Sequence, residues 1–168
     1  EEKRTGTIEL LLTRPLSDMQ IILGKYLASL VLILFSLIPT LLYYWSIYQL
    51  GNPVGNIDSA GTFGSYTGLL MLGFVFSSIG IFASSITDNQ IVAFITSVIL
   101  SFVFFIGFNL ISQLDFWGSY DIVVDGLGIA SHYSSMSRGL IDSRDLLYFL
   151  SVIVVMLFAT KLSLSSRN

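Results

Sequence analysis

Long runs without a charged side chain are the feature that most restricts how this 168-residue sequence can fold. The runs cover residues 26–50, 59–87, 89–114 and 146–160. An α-helix rises about 1.5 Å per residue and the hydrocarbon core is about 30 Å thick, so about 20 apolar residues cross a membrane. The first three runs reach that length. The fourth is shorter, but Lys161 can extend its ammonium group to the interface while the helix continues. We therefore predict an all-α integral membrane protein with four transmembrane helices.

The composition agrees with lipid as the main solvent. Hydrophobic residues make up 54% of the sequence and charged residues only 11%, whereas a soluble domain has about 25% charged residues. A soluble bundle of buried helices is therefore disfavoured. The net charge is −3 and the basic residues are scattered, which gives no reason to expect a nucleic-acid partner. The sequence has no cysteine, which excludes disulfides, thiolate metal sites and cysteine nucleophiles from it.

We predict one membrane-spanning domain over residues 1–168, with helices that include spans at 18–50, 62–86, 89–113 and 145–165. A glycine-rich turn follows the first helix, and "TDNQ" allows only a tight hairpin between the second and third, with Asp88 or Asn89 as the helix cap. Because residue 1 is Glu rather than Met, we expect the chain to be part of a longer protein.

The orientation follows from the basic residues near the span ends. One side carries Lys3, Arg4, Arg14, Lys25, Lys161 and Arg167, and the other carries Arg138 and Arg144. Since cytoplasmic loops are enriched in Lys and Arg, both ends of the chain are predicted to be cytoplasmic. The segment 115–144 is then predicted to be external.

A short amphipathic helix is predicted at residues 7–14, just before the first span. Ile8, Leu11 and Leu12 form an apolar stripe while Glu9 faces away, and Pro15 ends the helix. The next helix begins with a capping box, in which Ser17 and Gln20 bond reciprocally. Two interpretations remain open: an interfacial helix that rests its leucines in the headgroups, and a docking helix for a cytoplasmic partner.

The residues of "EEKRTGTIELLLTRPLSDMQIILGKYL" carry a family resemblance. This stretch resembles the cytoplasmic segment of ABC type-2 exporter permeases, with matching positions at Gly6, Thr7, Glu9, Leu10, Pro15, Gly24 and Lys25. "SSIGIFASSITDNQIVAF" and "SHYSSMSRGLIDSRDLLYFLS" resemble the central hairpin and outer segment of the same family. Within it, the likeness is greatest to the permeases of gliding-motility systems.

The resemblance implies a six-span permease in which the four runs are the third to sixth spans, preceded by two N-terminal spans. It also implies that residues 7–14 are a coupling helix on which an ABC ATPase subunit docks. The implied docking residues are Gly6, Thr7, Glu9, Leu10, Leu11, Leu12, Arg14 and Pro15. Other implied features are two ATPase copies that bind ATP and Mg²⁺, a second permease subunit of the same or a different kind, and a place in the bacterial inner membrane.

No catalytic, cofactor-binding or metal site is predicted in this chain. "LGKYL" lacks the spacing and the hydroxyl of a nucleotide-binding loop, so ATP is expected only on the partner. The three long runs contain no Asp, Glu, Lys, Arg or His, which argues against a proton-coupled carrier and an intramembrane protease. His132 and the pair Asp121 and Asp125 are interpreted as ordinary external surface residues.

Two features of the spans are predicted to be structural or mechanical. Pro39 removes a backbone hydrogen bond in the middle of the first span, which predicts a kink that acts as a packing bend or as a hinge. A helix contact face is predicted at the small residues Gly73, Ser77, Ser78, Gly80, Ala83 and Ser84.

The function predicted from these observations is that of the transmembrane subunit of an ATP-driven exporter. A membrane scaffold that docks a partner without transport is the alternative, and a secondary carrier is less favoured. The substrate is not predicted.

Overall fold

The structure is a computed structural model that describes residues 17–114 and 118–166, in which all regular structure is helical. Four helical stretches are long and apolar enough to cross a membrane: Asp18–Leu50, Ser59–Ile86, Gln90–Ser112 and Ser143–Ser165. The predicted class, an all-α membrane protein with four candidate spans, is confirmed. Two of these helices begin earlier than predicted, at Ser59 and Ser143.

The first stretch consists of two helices, α1 (Asp18–Leu37) and α2 (Thr40–Leu50). The predicted capping box at the start of α1 is present. The Gln20 amide donates to Ser17 Oγ at 3.4 Å, and the Ser17 amide donates to Gln20 Oε1 at 2.9 Å. These bonds satisfy backbone donors that the first helical turn leaves without a partner, so α1 has a defined beginning.

Helix α3 (Ser59–Ile86) is the centre of the molecule. Asp58 is its N-cap, and Asp58 Oδ1 accepts from the Gly61 amide at 2.9 Å. Val75 and Ile79 of α3 are fully buried, and the described core around them is completed by residues of three other helices: Ile22 and Tyr26, Ile129 and Met136, and Phe149, Ile153, Met156 and Leu157.

Helix α4 (Gln90–Phe102) follows a tight hairpin and packs against α3. Asn89 is its N-cap, because its Oδ1 accepts from the amides of Ile91 and Val92. The helix then continues through a π-helical turn, Val103–Gly107, into α5 (Phe108–Ser112). The sequence did not predict that turn.

The connecting segment, residues 118–142, contains a 3₁₀ turn (Gly118–Tyr120), α6 (Asp121–Asp125) and α7 (Ile129–Ser137). It was predicted to be external, and its side of the membrane stays a prediction. Its helix α7 packs against α3 and α8 (Ser143–Ser165). Ile129 and Met136 of α7 are fully buried. Part of this segment therefore belongs to the hydrophobic core, because one face of α7 is apolar enough to be buried there.

Candidate functional site

The predicted docking residues precede the part of the chain that the structure describes. Gly6, Thr7, Glu9, Leu10, Leu11, Leu12, Arg14 and Pro15 all lie outside the described residues. Their role in binding an ATPase subunit therefore stays a prediction. The described chain begins at Ser17, two residues after Pro15, with the capped start of α1.

Pro39 interrupts the first long helix, as its chemistry predicts. Proline has no amide hydrogen, and its ring collides with the carbonyl four residues earlier in a continuous helix. Helix α1 ends at Leu37 and α2 begins at Thr40. The Leu41 amide donates to the Ile38 carbonyl at 3.1 Å, and Thr40 Oγ1 donates to the Leu37 carbonyl at 2.6 Å. The structure shows the interruption of the helix, whereas the hinge motion at Pro39 stays a prediction.

A groove of about 410 Å³ lies beside this interruption, between α1, α2 and the first half of α3. Most of its walls are apolar, with Leu34, Ile38 and Phe63 among them. Two hydroxyl contacts join α2 to α3. Tyr66 Oη donates to Thr40 Oγ1 at 3.0 Å, and the hydroxyls of Tyr44 and Ser59 are 3.4 Å apart. Hydrogen bonds of this kind, rather than buried side chains, hold α2 to α3.

Most of the small residues that were predicted to form a contact face on α3 are buried or contact another helix. Ser78 and Ala83 are buried, and the hydroxyls of Ser29 and Ser77 share a hydrogen bond between α1 and α3. At Gly73, a Cβ would lie 3.1 Å from Ile33 Cγ2, so glycine permits the close approach of α1. Ser84 does not belong to this face, because it is exposed. The prediction for Ser84 was wrong.

A second small-residue face was missed. Gly61, Gly64 and Gly68 of α3 are buried, and the last two face α7. A Cβ on Gly64 would collide with the Met136 carbonyl oxygen and lie 2.7 Å from Gly139 Cα. These glycines recur at i, i+3 and i+7, which is one face of a helix, so the spacing in the sequence could have revealed them.

His132 is not the ordinary surface residue that was predicted. Its Nδ1 lies 2.6 Å from Asp145 Oδ1, and its Nε2 lies 2.9 Å from the Gly126 carbonyl oxygen. The ring stacks on Tyr148, with the ring centroids 4.0 Å apart. The prediction failed because Asp145 is on α8, 13 residues further along the chain, and only the fold brings it to His132.

Asp121 and Asp125 were also wrongly interpreted as solvated charges. Asp125 Oδ1 accepts from Asn109 Nδ2 at 2.8 Å, and Asn109 Oδ1 accepts from Gln113 Nε2 at 2.8 Å. Asp121 Oδ1 is buried. These polar contacts join α6 to the end of α5, which explains why the connecting segment folds back onto the bundle.

Acidic and imidazole side chains do not gather into a metal site in the described ranges, since they hold no group of three or more His, Asp or Glu residues able to bind an ion. The geometry instead provides an interrupted first span, a groove beside it and a polar junction around His132.

The fold defines a multi-pass helical membrane protein. Residues 1–166 match the sequence model of a family described as ABC-2 family transporter proteins, and the chain belongs to this family. It is therefore a transmembrane subunit of an ABC transporter, whose family implies an ATPase partner. A search of the curated proteins found no match, and neither did a search of the solved structures.

Proposed function

We propose that this chain couples ATP hydrolysis on a separate ATPase subunit to the export of a substrate across the bacterial inner membrane. The observation that carries the proposal is the family match over residues 1–166, which includes the predicted coupling helix at 7–14. No nucleotide site is assigned to this chain itself. ATP and Mg²⁺ belong to two copies of the partner, and a second permease subunit, identical or different, completes the transporter.

The first long helix is suited to transmit movement because its two halves are held differently. Ile22 and Tyr26 of α1 are buried in the core, and Tyr26 Oη donates to the Phe74 carbonyl at 3.3 Å. Helix α2 has no buried residue within the described structure. Closure of the ATPase pair pushes residues 7–14, the elbow at residues 15–17 passes the push into α1, and α2 reorients at Pro39.

Reorientation of α2 opens or closes the groove beside Pro39. The obstacles are the hydrogen bonds from Tyr66 to Thr40 and from Tyr44 to Ser59, since α2 contributes no side chain to the hydrophobic core of the described residues. A single hydrogen bond contributes about 0.5–1.5 kcal/mol. ATP binding supplies the push only if the docked contacts differ between two states of the transporter.

The likeness to gliding-motility permeases gives the proposal a biological setting. We propose a role in gliding motility or in the assembly of surface material, with both ends of the chain cytoplasmic and the connecting segment external. This role is family analogy and assigns no substrate.

The proposed function is tested by purifying the complete permease from native membranes in a gentle detergent and identifying the subunits that accompany it. We expect an ATPase subunit in equal amount. Glu9→Arg should lose this subunit, because it places a cation in the predicted docking face. Glu2→Arg is the matched control, since it reverses a charge outside the docking set.

Retention of both the ATPase subunit and transport in Glu9→Arg would contradict the docking role. Absence of any ATPase from the wild-type preparation would instead favour the scaffold. Transport that persists without an ATPase and follows an ion gradient would identify a secondary carrier.

A further inference from the structure

The junction around His132 joins the connecting segment to the last span. Nε2 of His132 faces the Gly126 carbonyl, and Nδ1 faces Asp145 on α8. Two nearby bonds end on the same loop: Tyr148 Oη donates to the Leu127 carbonyl, and Ser131 Oγ donates to the Gly128 carbonyl at 2.9 Å. The imidazole is therefore fixed on both edges and on one face.

The two hydrogen bonds of the imidazole determine how many hydrogens its ring nitrogens and the Asp145 carboxyl must carry. A carbonyl oxygen can only accept, so Nε2 must carry a hydrogen to bond Gly126. A carboxylate also only accepts, so an ionised Asp145 requires a second hydrogen on Nδ1. A neutral imidazole has one hydrogen and cannot satisfy both. The two bonds coexist only if one additional proton lies between Nδ1 and Oδ1.

We propose that His132 and Asp145 together bind one proton, and that this proton fixes the connecting segment to α8. The pair is either imidazolium with carboxylate or neutral imidazole with carboxylic acid, and the number of protons is the same in both. The proposal concerns this chain alone and does not depend on ATP-driven transport.

The Asp145 carboxyl is buried, so the loss of the shared proton would leave a charge away from water. Asp145 is only 7% exposed, and its Oδ2 has no hydrogen-bond partner among the described residues. His132 Nδ1 is therefore the one side-chain partner of this carboxyl in the described structure. If base removes the proton, a buried carboxylate and a neutral imidazole remain, and one of the two bonds to His132 is lost. A buried charge that loses its partner is strongly destabilising. The predicted result is weaker attachment of α7 to α8.

Other ionisable side chains on the packed elements could respond to pH as well. Helix α3 and its cap contribute Asp58 and Tyr66, and the π-helical turn contributes none. The connecting segment and α8 contribute Tyr120, Asp121, Asp125, Tyr133, Arg138, Asp142, Arg144, Tyr148 and Lys161. Helix α1, which contacts α8, contributes Asp18, Lys25 and Tyr26. A decisive test must keep all of these groups while removing the shared proton.

Asp145→Asn meets this requirement. Its amide can donate to Nδ1 of a neutral imidazole while Nε2 still donates to Gly126, so both bonds form without an additional proton. His132→Ala removes both bonds at every pH. The proposal therefore predicts three different responses from wild type and the two variants.

The reporter is a buried thiol. Ile129 begins α7 and is fully buried, and residues 1–168 contain no cysteine, so Ile129→Cys adds a thiol that is unique among them. The complete protein, with any cysteine outside residues 1–168 replaced by serine, is placed in lipid nanodiscs and treated with a maleimide at about pH 6 and about pH 9. Ile122→Cys, at a side chain that is 84% exposed, corrects for the pH dependence of the thiol itself.

We expect the corrected labelling rate at position 129 to rise on the order of tenfold at the higher pH, the effect of losing one charged hydrogen bond. Asp145→Asn should label slowly at both pH values, and His132→Ala should label fast at both. Met136→Cys, at a second buried position, serves as the reporter if Ile129→Cys does not fold. The proposal is overturned if the wild type shows no rise, or if Asp145→Asn shows the same rise as the wild type.

Discussion

Single residues determine how closely the helices of this protein approach. Gly64 shows this most directly, because a Cβ there would meet the backbone of Met136 and Gly139 rather than a side chain that can move. Gly24 of α1 is the opposite case, since a Cβ there has nothing within 4 Å. The same residue type therefore has different constraints in α1 and α3.

Gly64→Val is expected to lower the stability of the protein by about 1–3 kcal/mol, the usual result of overpacking a close contact. Gly24→Ala is its control and is expected to be neutral or slightly stabilising, because alanine favours the helix. The thermal midpoint of unfolding in detergent, followed by size-exclusion fluorescence, checks both. Equal midpoints for the two variants would show that α7 does not pack on Gly64.

Asp142 provides a residue-scale prediction about pH. The hydrogen bond from the Arg144 amide lowers the pKa of Asp142 from its ordinary value of 3.8, and the adjacent Ser143 hydroxyl and Arg144 charge contribute. The pKa of Asp142 is lower in the folded protein than in the unfolded protein. The ionised carboxylate therefore stabilises the fold fully above its ordinary pKa, and this stabilisation is lost as the pH falls through the lowered pKa.

Asp142→Ala should accelerate hydrogen exchange at the Arg144 amide near neutral pH, because the first turn of α8 loses its side-chain acceptor. Asp142→Asn should keep most of the protection of the Arg144 amide. That protection should no longer fall at low pH, since an amide oxygen accepts a hydrogen bond without titrating. Exchange measured by mass spectrometry distinguishes these outcomes. Identical exchange in all three proteins would exclude a role for this cap.

At the scale of elements, the sequence predicted what depends on local chemistry. The four apolar stretches, the capping box at Ser17 and the interruption at Pro39 each follow from residues close together in the chain. The sequence reading missed the packing of α7 on α3 and the pairing of His132 with Asp145. Both require knowing how separate helices dock, and one apolar face on α7 does not specify its partner.

Pro39→Ala should restore continuity between α1 and α2, because alanine at 39 supplies the missing amide and relieves the collision with the Phe35 carbonyl. We expect ATPase association to be kept and nucleotide-dependent movement of α2 to be reduced. Spin labels at Trp45 of α2 and Phe63 of α3, both exposed, measure that movement. An unchanged distance response in the variant would mean that Pro39 is a packing bend.

At the scale of the whole molecule, the orientation in the membrane is the main prediction. Leu127 lies in the connecting segment and Ser166 lies just after α8, and both are exposed. In intact cells, a membrane-impermeant maleimide should label Leu127→Cys, whereas Ser166→Cys should react only after permeabilisation. The reverse pattern would contradict the positive-inside assignment.

The uneven distribution of the core has a consequence for sequence divergence. Helices α2 and α4 contribute no buried residue to the described structure, whereas α3 contributes eight: Gly61, Gly64, Gly68, Val75, Ser78, Ile79, Ala83 and Ser85. Where a side chain of α2 or α4 faces lipid, one apolar side chain can replace another with little effect, because lipid accommodates any shape. Substitutions on α3 must preserve shape and volume. Among descendants of this sequence, α3 should therefore change most slowly, and the lipid-facing positions of α2 and α4 should vary most while remaining hydrophobic.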